Sequence, residues 1–307
     1  MLPALLLMAI SLWRISSGEW DIPFPDVIRF LLADTDSAQA FVIRSVRLPR
    51  LVCSLFTGGL LSVSGATLQG LLANPLAEPY TLGIASGAAF GASFGILGGE
   101  WAVMPCAFAG AMCALVLTGA IAHNGGRERL ILAGVISNAV LSAGVTFMKA
   151  VAGDKIGAVV LWLMGSFSGA GWRDAWAVMA GSVAVMLPAY VMGSALDAMS
   201  LGEDRASVLG VNEGRVRVSL LVSASVGVSL CVSSFGVIGF VGLVVPHIAR
   251  GIVRAKHRRV MIEAFMIGAG MMTLADGAAQ MMGEIPAGVV TALCGGPFLC
   301  WLLAVRK

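Results

Sequence analysis

Three arginines, Arg44, Arg47 and Arg50, recur at three-residue spacing in FVIRSVRLPRLVC, at the mouth of a long apolar run. A guanidinium is a planar fork of donors that matches a carboxylate bidentately, so a row of them suits an acidic protein surface. The same side chains could instead snorkel, resting their stems on apolar surface and their heads in the lipid headgroup layer. Spacing alone fits both. Other reactive groups are sparse. No G-x-x-x-x-G-K-[ST] occurs, and none of Lys149, Lys155, Lys256 or Lys307 follows a glycine, so the loop that cradles phosphates is missing. Any ATP must be hydrolysed by another polypeptide. His123, His247 and His257 form no H-E-x-x-H, and no acid pair stands at helical spacing inside an apolar run, which disfavours an intramembrane enzyme. The six cysteines lie in apolar segments without C-x-x-C spacing and read as small buried hydrophobes rather than disulfides or metal ligands.

The elements that must position these groups are membrane helices. The 307 residues are 58% hydrophobic and 12% charged, with mean hydropathy +0.91. A soluble domain carries roughly 25% charged residues, so the solvent must be lipid. The net charge of +3 is too small to argue for nucleic acid. Apolar runs predict about ten crossings in one all-helical domain over 1–307: 2–16, 48–69, 80–98, 101–122, 130–150, 173–195, 218–237, 240–253, 260–279 and 286–304. The opening MLPALLLMAISLWR has neither a basic n-region nor a cleavage site, so it reads as the first helix. It is short for a ~30 Å hydrocarbon core, which suggests an N-terminus lacking a few residues. The eighth run is too short to cross straight, and FGVIGFVGLVVPH predicts broken backbone that survives only buried in protein or lining a wet cavity. Gly83, Gly87, Gly91 and Gly95 form a small-residue stripe for helix packing.

With the N-terminus cytoplasmic, twelve Lys and Arg fall inside and eight outside, and five of those eight lie in 14–50 beside five acids. That balanced segment reads as a water-facing loop. Without it the bias is twelve to three, in keeping with positive-inside. Arg44, Arg47 and Arg50 then face outward. An ion-coupled carrier would need ionisable groups near the midplane. Glu263 and Asp276 instead fall near opposite ends of the ninth run and Lys149 near the end of the fifth, which counts against that class.

RLPR (47–50), GGLLSVSGATLQGLLANPLAEPYTLGIASGA (58–88), GVIGFVGLVVPHIAR (236–250) and EIPAGVVTALCGGPFLCWLL (284–303) together resemble the permease family of type II ABC importers. Further agreement lies at RLILAG (129–134), WLMGSF (162–167) and LGEDRASVLGV (201–211). These are the membrane subunits that take up cobalamin, haem and iron–siderophore complexes. The resemblance implies ten helices per subunit and a second permease copy across a central pathway in the bacterial inner membrane. It also implies two cytoplasmic ATPases, which hold ATP and Mg, and a periplasmic binding protein. The permease itself would bind no cofactor or metal and make or break no covalent bond.

By the same resemblance Arg47 and Arg50 receive glutamates of the binding protein, with Arg44 one turn away. Where relatives can carry a further docking arginine after A-D-x-x-x, this chain has Gln280. The polar segment 195–217, of a size for two short helices, resembles the ATPase-coupling segment, with Leu201, Gly202, Glu203, Ala206, Leu209 and Gly210 as its contact residues and Ala206, Ser207 and Gly210 letting a knob seat closely. Asn74 and Leu76 match the cytoplasmic gate, although a plain structural turn explains ANPLAEP as well. A second gate element falls at 125–128, where this chain reads GGRE. The fifth helix would face the pathway with Ser137, Asn138, Ser142 and Thr146. His247, after Pro246, is expected to satisfy backbone freed by the break rather than to ligate haem.

Overall fold

A computed structural model describes residues 2–18, 22–32, 37–123, 125–253 and 256–305, and among these every regular element is helical. In chain order they are α1 (Leu2–Ser16), α2 (Phe24–Leu32), α3 (Ala38–Leu71), α4 (Ile84–Gly98), α5 (Val103–Ile121), α6 (Arg127–Val151), α7 (Ile156–Leu163), α8 (Trp172–Val191), α9 (Gly193–Met199), α10 (Glu203–Val208), α11 (Glu213–Phe235), α12 (Val241–Val253), α13 (His257–Met281) and α14 (Ala287–Val305). Six of them, α3, α5, α6, α8, α11 and α13, are long and apolar enough to cross a membrane. The shorter apolar helices α1, α4, α12 and α14 bring the set to the ten expected crossings.

Helix α3 runs through the centre and is buried along most of its length. Lipid tails give no apolar drive for helix association, so helices gain by close backbone approach. A Cβ on Gly58 would stand 2.2 Å from Gly268 O of α13, and one on Gly65 only 1.7 Å from Gly242 O of α12. The α4–α5 pair follows the predicted stripe, with Gly87 against Gly110 O and Gly91 against Cys106 O. Gly83 does something else. At φ 78° it caps the start of α4 in the left-handed region. Cys53 and Cys231 are buried as expected, but Cys113, Cys294 and Cys300 are exposed, a correction that follows because a thiol facing lipid needs no protein around it.

The break before α12 is real. Gly236 and Phe240 have φ 75° and 69°, and the chain between them is not helical. Its polar backbone is met by protein: the Tyr80 hydroxyl donates to Ile238 O and accepts from Ile238 N at 3.1 Å, while Ser166 N donates to Phe235 O at 2.8 Å. Inside α12, Pro246 has no N–H for Gly242 O. The side chain that reaches this carbonyl is Gln69 of α3, through Nε2 at 3.5 Å, with Leu243 O at 3.4 Å. The ring of His247, the next residue, lies edge-on to Phe298 of α14.

The segment 14–50 is not a plain loop. It contains α2, the start of α3 and a small core of Ile22, Val27 and Ile43. Glu19, Asp21, Asp34 and Asp36, on which its charge balance partly rests, lie outside the described residues, as do Arg254, Arg306 and Lys307 from the inner charge count.

Candidate functional site

Polar chemistry collects at the two ends of the bundle. At the outer end, Pro49 lacks a donor and its ring crowds the carbonyl one turn back. The turn before it, Ile43–Arg47, widens to a π-helix, with Leu48 N donating to Ile43 O. The three arginines stand on or just past this wide turn, and the structure gives each an internal acceptor. Arg44 Nε donates to Phe30 O at 2.8 Å, near the C-terminus of α2. Arg47 Nη1 donates to Ile15 O at 2.8 Å and Ser16 O at 3.1 Å, where α1 ends. Carbonyls at helix C-termini are unsatisfied and carry partial negative charge, so both contacts are favourable.

Arg50 lies deeper, only 7% exposed. Its Nε and Nη2 donate to Asp276 at 2.9–3.2 Å, and its Nη1 and Nη2 donate to Glu284 at 3.1 and 2.9 Å. Asp276, fully buried near the end of α13, also accepts from Arg14 Nη2 at 2.8 Å. Arg14 Nη1 donates to Gln280 Oε1 at 2.6 Å. Two guanidinium groups and two carboxylates thus form one neutral cluster joining α1, α3, α13 and the turn into α14. Burial alone would push the Glu284 carboxyl up, but hydrogen bonding to Arg50 and its charge outweigh this and hold it below the usual carboxylate range. Of the three arginines only Arg50 is buried, while Arg44 and Arg47 stay half-exposed. In this conformation Arg50 is an internal clamp, and Gln280 is committed to Arg14. No local pattern signals the pairing, because Arg50 and Asp276 are 226 residues apart.

At the inner end, α9 and α10 are the two short helices expected in 195–217. The first of them is pinned on two sides. Asp197 Oδ1 accepts from His257 N at 3.0 Å and lies 2.7 Å from His257 Nδ1, at the start of α13. Arg127, from the GGRE turn, donates to Met199 O at 3.4 Å and lies 3.7 Å from Glu213 of α11, which also pairs with Arg217. Leu201, Val208 and Leu209 are left exposed, at 56%, 88% and 63%. Gly202 and Gly210 are exposed with φ 108° and 76° and shape the turns around α10. Ala206 is buried and so does not face a partner, a correction explained by its place on the inner side of α10. The side chain of Glu203 lies outside the described residues. Val208, the most exposed of the three apolar residues, was missed, although an apolar pair ending a charged helix is a readable signal.

The ANPLAEP turn is built by Asn74, whose Oδ1 accepts from Leu76 N at 2.9 Å, while Ala73 takes φ 48°. Leu76 is exposed at its tip. Two residues on, Glu78 is half-buried with its Oε2 enclosed and unpartnered, and burial pushes its carboxyl up to about 7. On α6, Asn138, Ser142 and Thr146 form an exposed stripe at four-residue spacing. Ser137 does not belong to it. It is fully buried, with Oγ 3.0 Å from Thr118 Oγ1.

Residues 5–305 match the model of the FecCD transport family. The chain is 37% identical over 287 residues to the cobalamin import system permease protein BtuC of Halobacterium salinarum, covering 89% of this chain and 75% of that one. It is 34% identical over 310 residues to the Fe(3+)-citrate import system permease protein YfmE of Bacillus subtilis, covering 98% and 92%. A solved structure described as an inward-facing conformation of a metal-chelate type ABC transporter superposes with a TM-score of 0.88 at 29% identity, covering 98% of this chain and 97% of that one.

Proposed function

The chain belongs to the FecCD transport family and has the fold of a type II ABC importer permease, and from that premise we propose that it passes an iron chelate, haem or cobalamin inward across a bacterial inner membrane. The two relatives described above are a cobalamin and a ferric citrate permease, and iron–siderophore or haem is the first choice of cargo. The observation that carries the reading is the inner ledge: Leu201, Val208 and Leu209 lie bare on and beside two short helices, the first of which is pinned to α6 and α13. Such a ledge suits the cleft of a cytoplasmic ATPase, which would bind ATP and Mg and push on α6 and α13 through those pins. A second copy of the chain would complete the pathway, with the Asn138–Ser142–Thr146 stripe wetting it. These neutral groups would not grip the cargo, leaving selectivity to a periplasmic binding protein that docks on the outer face around Arg44, Arg47, Arg50 and Gln280. Leu76 would close the inner mouth by dewetting, positioned by Asn74.

Purification with the ATPase, followed by hydrolysis assays in nanodiscs, tests the reading. Hydrolysis is expected to rise when the cargo-loaded binding protein is added, and Arg47→Glu is expected to weaken docking, most clearly at low salt. Hydrolysis indifferent to the binding protein would contradict it.

A further inference from the structure

The Arg50 fork has two bidentate edges, and this chain fills both. Asp276 takes the Nε/Nη2 edge and Glu284 takes the Nη1/Nη2 edge. The two carboxylates are not equivalent. Asp276 is completely buried and shared with Arg14, whereas the Glu284 side chain is 38% exposed and sits in a turn. That turn is also strained. Gly283 and Glu284 both have positive φ, 87° and 59°, and a residue with a Cβ adopts such a conformation only when its surroundings hold it. The turn leads directly into α14, which begins at Ala287. Gly288 N donates to Gly165 O at 3.0 Å, so the entry of α14 is also stitched to the segment after α7.

We propose that Glu284 is a built-in occupant of the outer edge of Arg50, holding the place that a carboxylate of the docking protein takes, and that its displacement releases the turn feeding α14. The inference rests on the docking reading above. With Glu284 in place the cluster of Arg14, Arg50, Asp276 and Glu284 is neutral. With Glu284 swung out it carries one net positive charge and an empty bidentate edge, which is the chemistry an incoming Asp or Glu matches. The exchange trades one ion pair for another, so Arg50 is never left buried and alone. It also makes docking and movement of α14 one event, because the residue expelled is the one that holds the turn.

The test uses the assembled permease and ATPase in nanodiscs with the binding protein encoded beside them. Glu284→Gln keeps the shape and removes the competing charge. It is expected to tighten binding-protein affinity roughly five- to tenfold and to raise hydrolysis in the absence of binding protein severalfold. Glu284→Asp keeps the charge at shorter reach and is expected to fall between. If Glu284→Gln changes neither quantity while Arg47→Glu still weakens docking, the self-occupancy is wrong and the docking reading stands. If Arg47→Glu leaves affinity unchanged, the docking reading falls and the displacement with it. A second measurement needs no change at the cluster. Spin labels at the exposed positions Phe41 and Met282 are expected to move apart when binding protein is added, and a fixed distance overturns the proposal even if Glu284→Gln does not fold.

Discussion

The two ends of the bundle solve opposite problems. At the outer end charge is turned inward: Arg14, Arg50 and Asp276 are buried together, and Arg44 and Arg47 rest on the C-terminal carbonyls of α2 and α1. At the inner end charge works at the edges, through Arg127–Glu213 and His257–Asp197, while apolar Val208 and Leu209 are left bare. A face that satisfies its own charges can wait closed until something competes for them. A face that exposes apolar surface to water is incomplete without a partner. The first suits a transient visitor and the second a permanent subunit.

The comparison breaks most readily at Asp276. Asp276→Asn leaves two buried guanidinium groups facing one neutral amide and one half-exposed carboxylate. Removing one member of a buried ion pair is expected to destabilise by about 3–5 kcal/mol, read as a large fall in the thermal midpoint in detergent. A midpoint unchanged within error would mean the outer cluster is not a clamp. Tyr80→Phe strips the hydroxyl that serves both Ile238 backbone groups and is expected to destabilise by about 1–3 kcal/mol, in the same assay. Val208→Asp with Leu209→Asp sharpens the contrast. The thermal midpoint of the isolated chain should hold, because both residues are exposed, while co-purification with the ATPase should fall about tenfold or more. Loss of fold instead would make these residues core rather than interface.

A pH-dependent effect concerns Glu78. Its carboxyl is pushed up to about 7 by burial, so the folded state binds a proton more tightly than the unfolded chain. Stability should therefore fall as pH rises from the ordinary carboxylate value near 4.5 to about 7, and level off above that. Glu78→Gln is expected to flatten that slope in thermal melts across the same window. An unchanged slope would assign the dependence elsewhere.

Much of the architecture was legible because lipid imposes long apolar runs. The ten crossings, the glycine stripe of α4, the broken approach to α12 and the two short helices after α8 can all be read from run length, spacing and proline. What was missed is non-local or masked by charge. The segment 14–50 looked like loop because its charges cancel, yet Phe24, Val27, Ile28 and Leu31 repeat at helical spacing and could have revealed α2. Ser137 was grouped with Asn138, Ser142 and Thr146, although a four-residue step from Asn138 excludes it. The partners of Arg50 carry no local signal, since a clamp between residues 50 and 276 exists only after the helices have packed.

Uptake into liposomes tests the central claim most directly. Vesicles holding this chain, the ATPase and internal ATP, with binding protein and chelate outside, are expected to accumulate chelate, and the same vesicles without the ATPase are expected to accumulate none under any ion gradient. Accumulation by the chain alone would contradict the account.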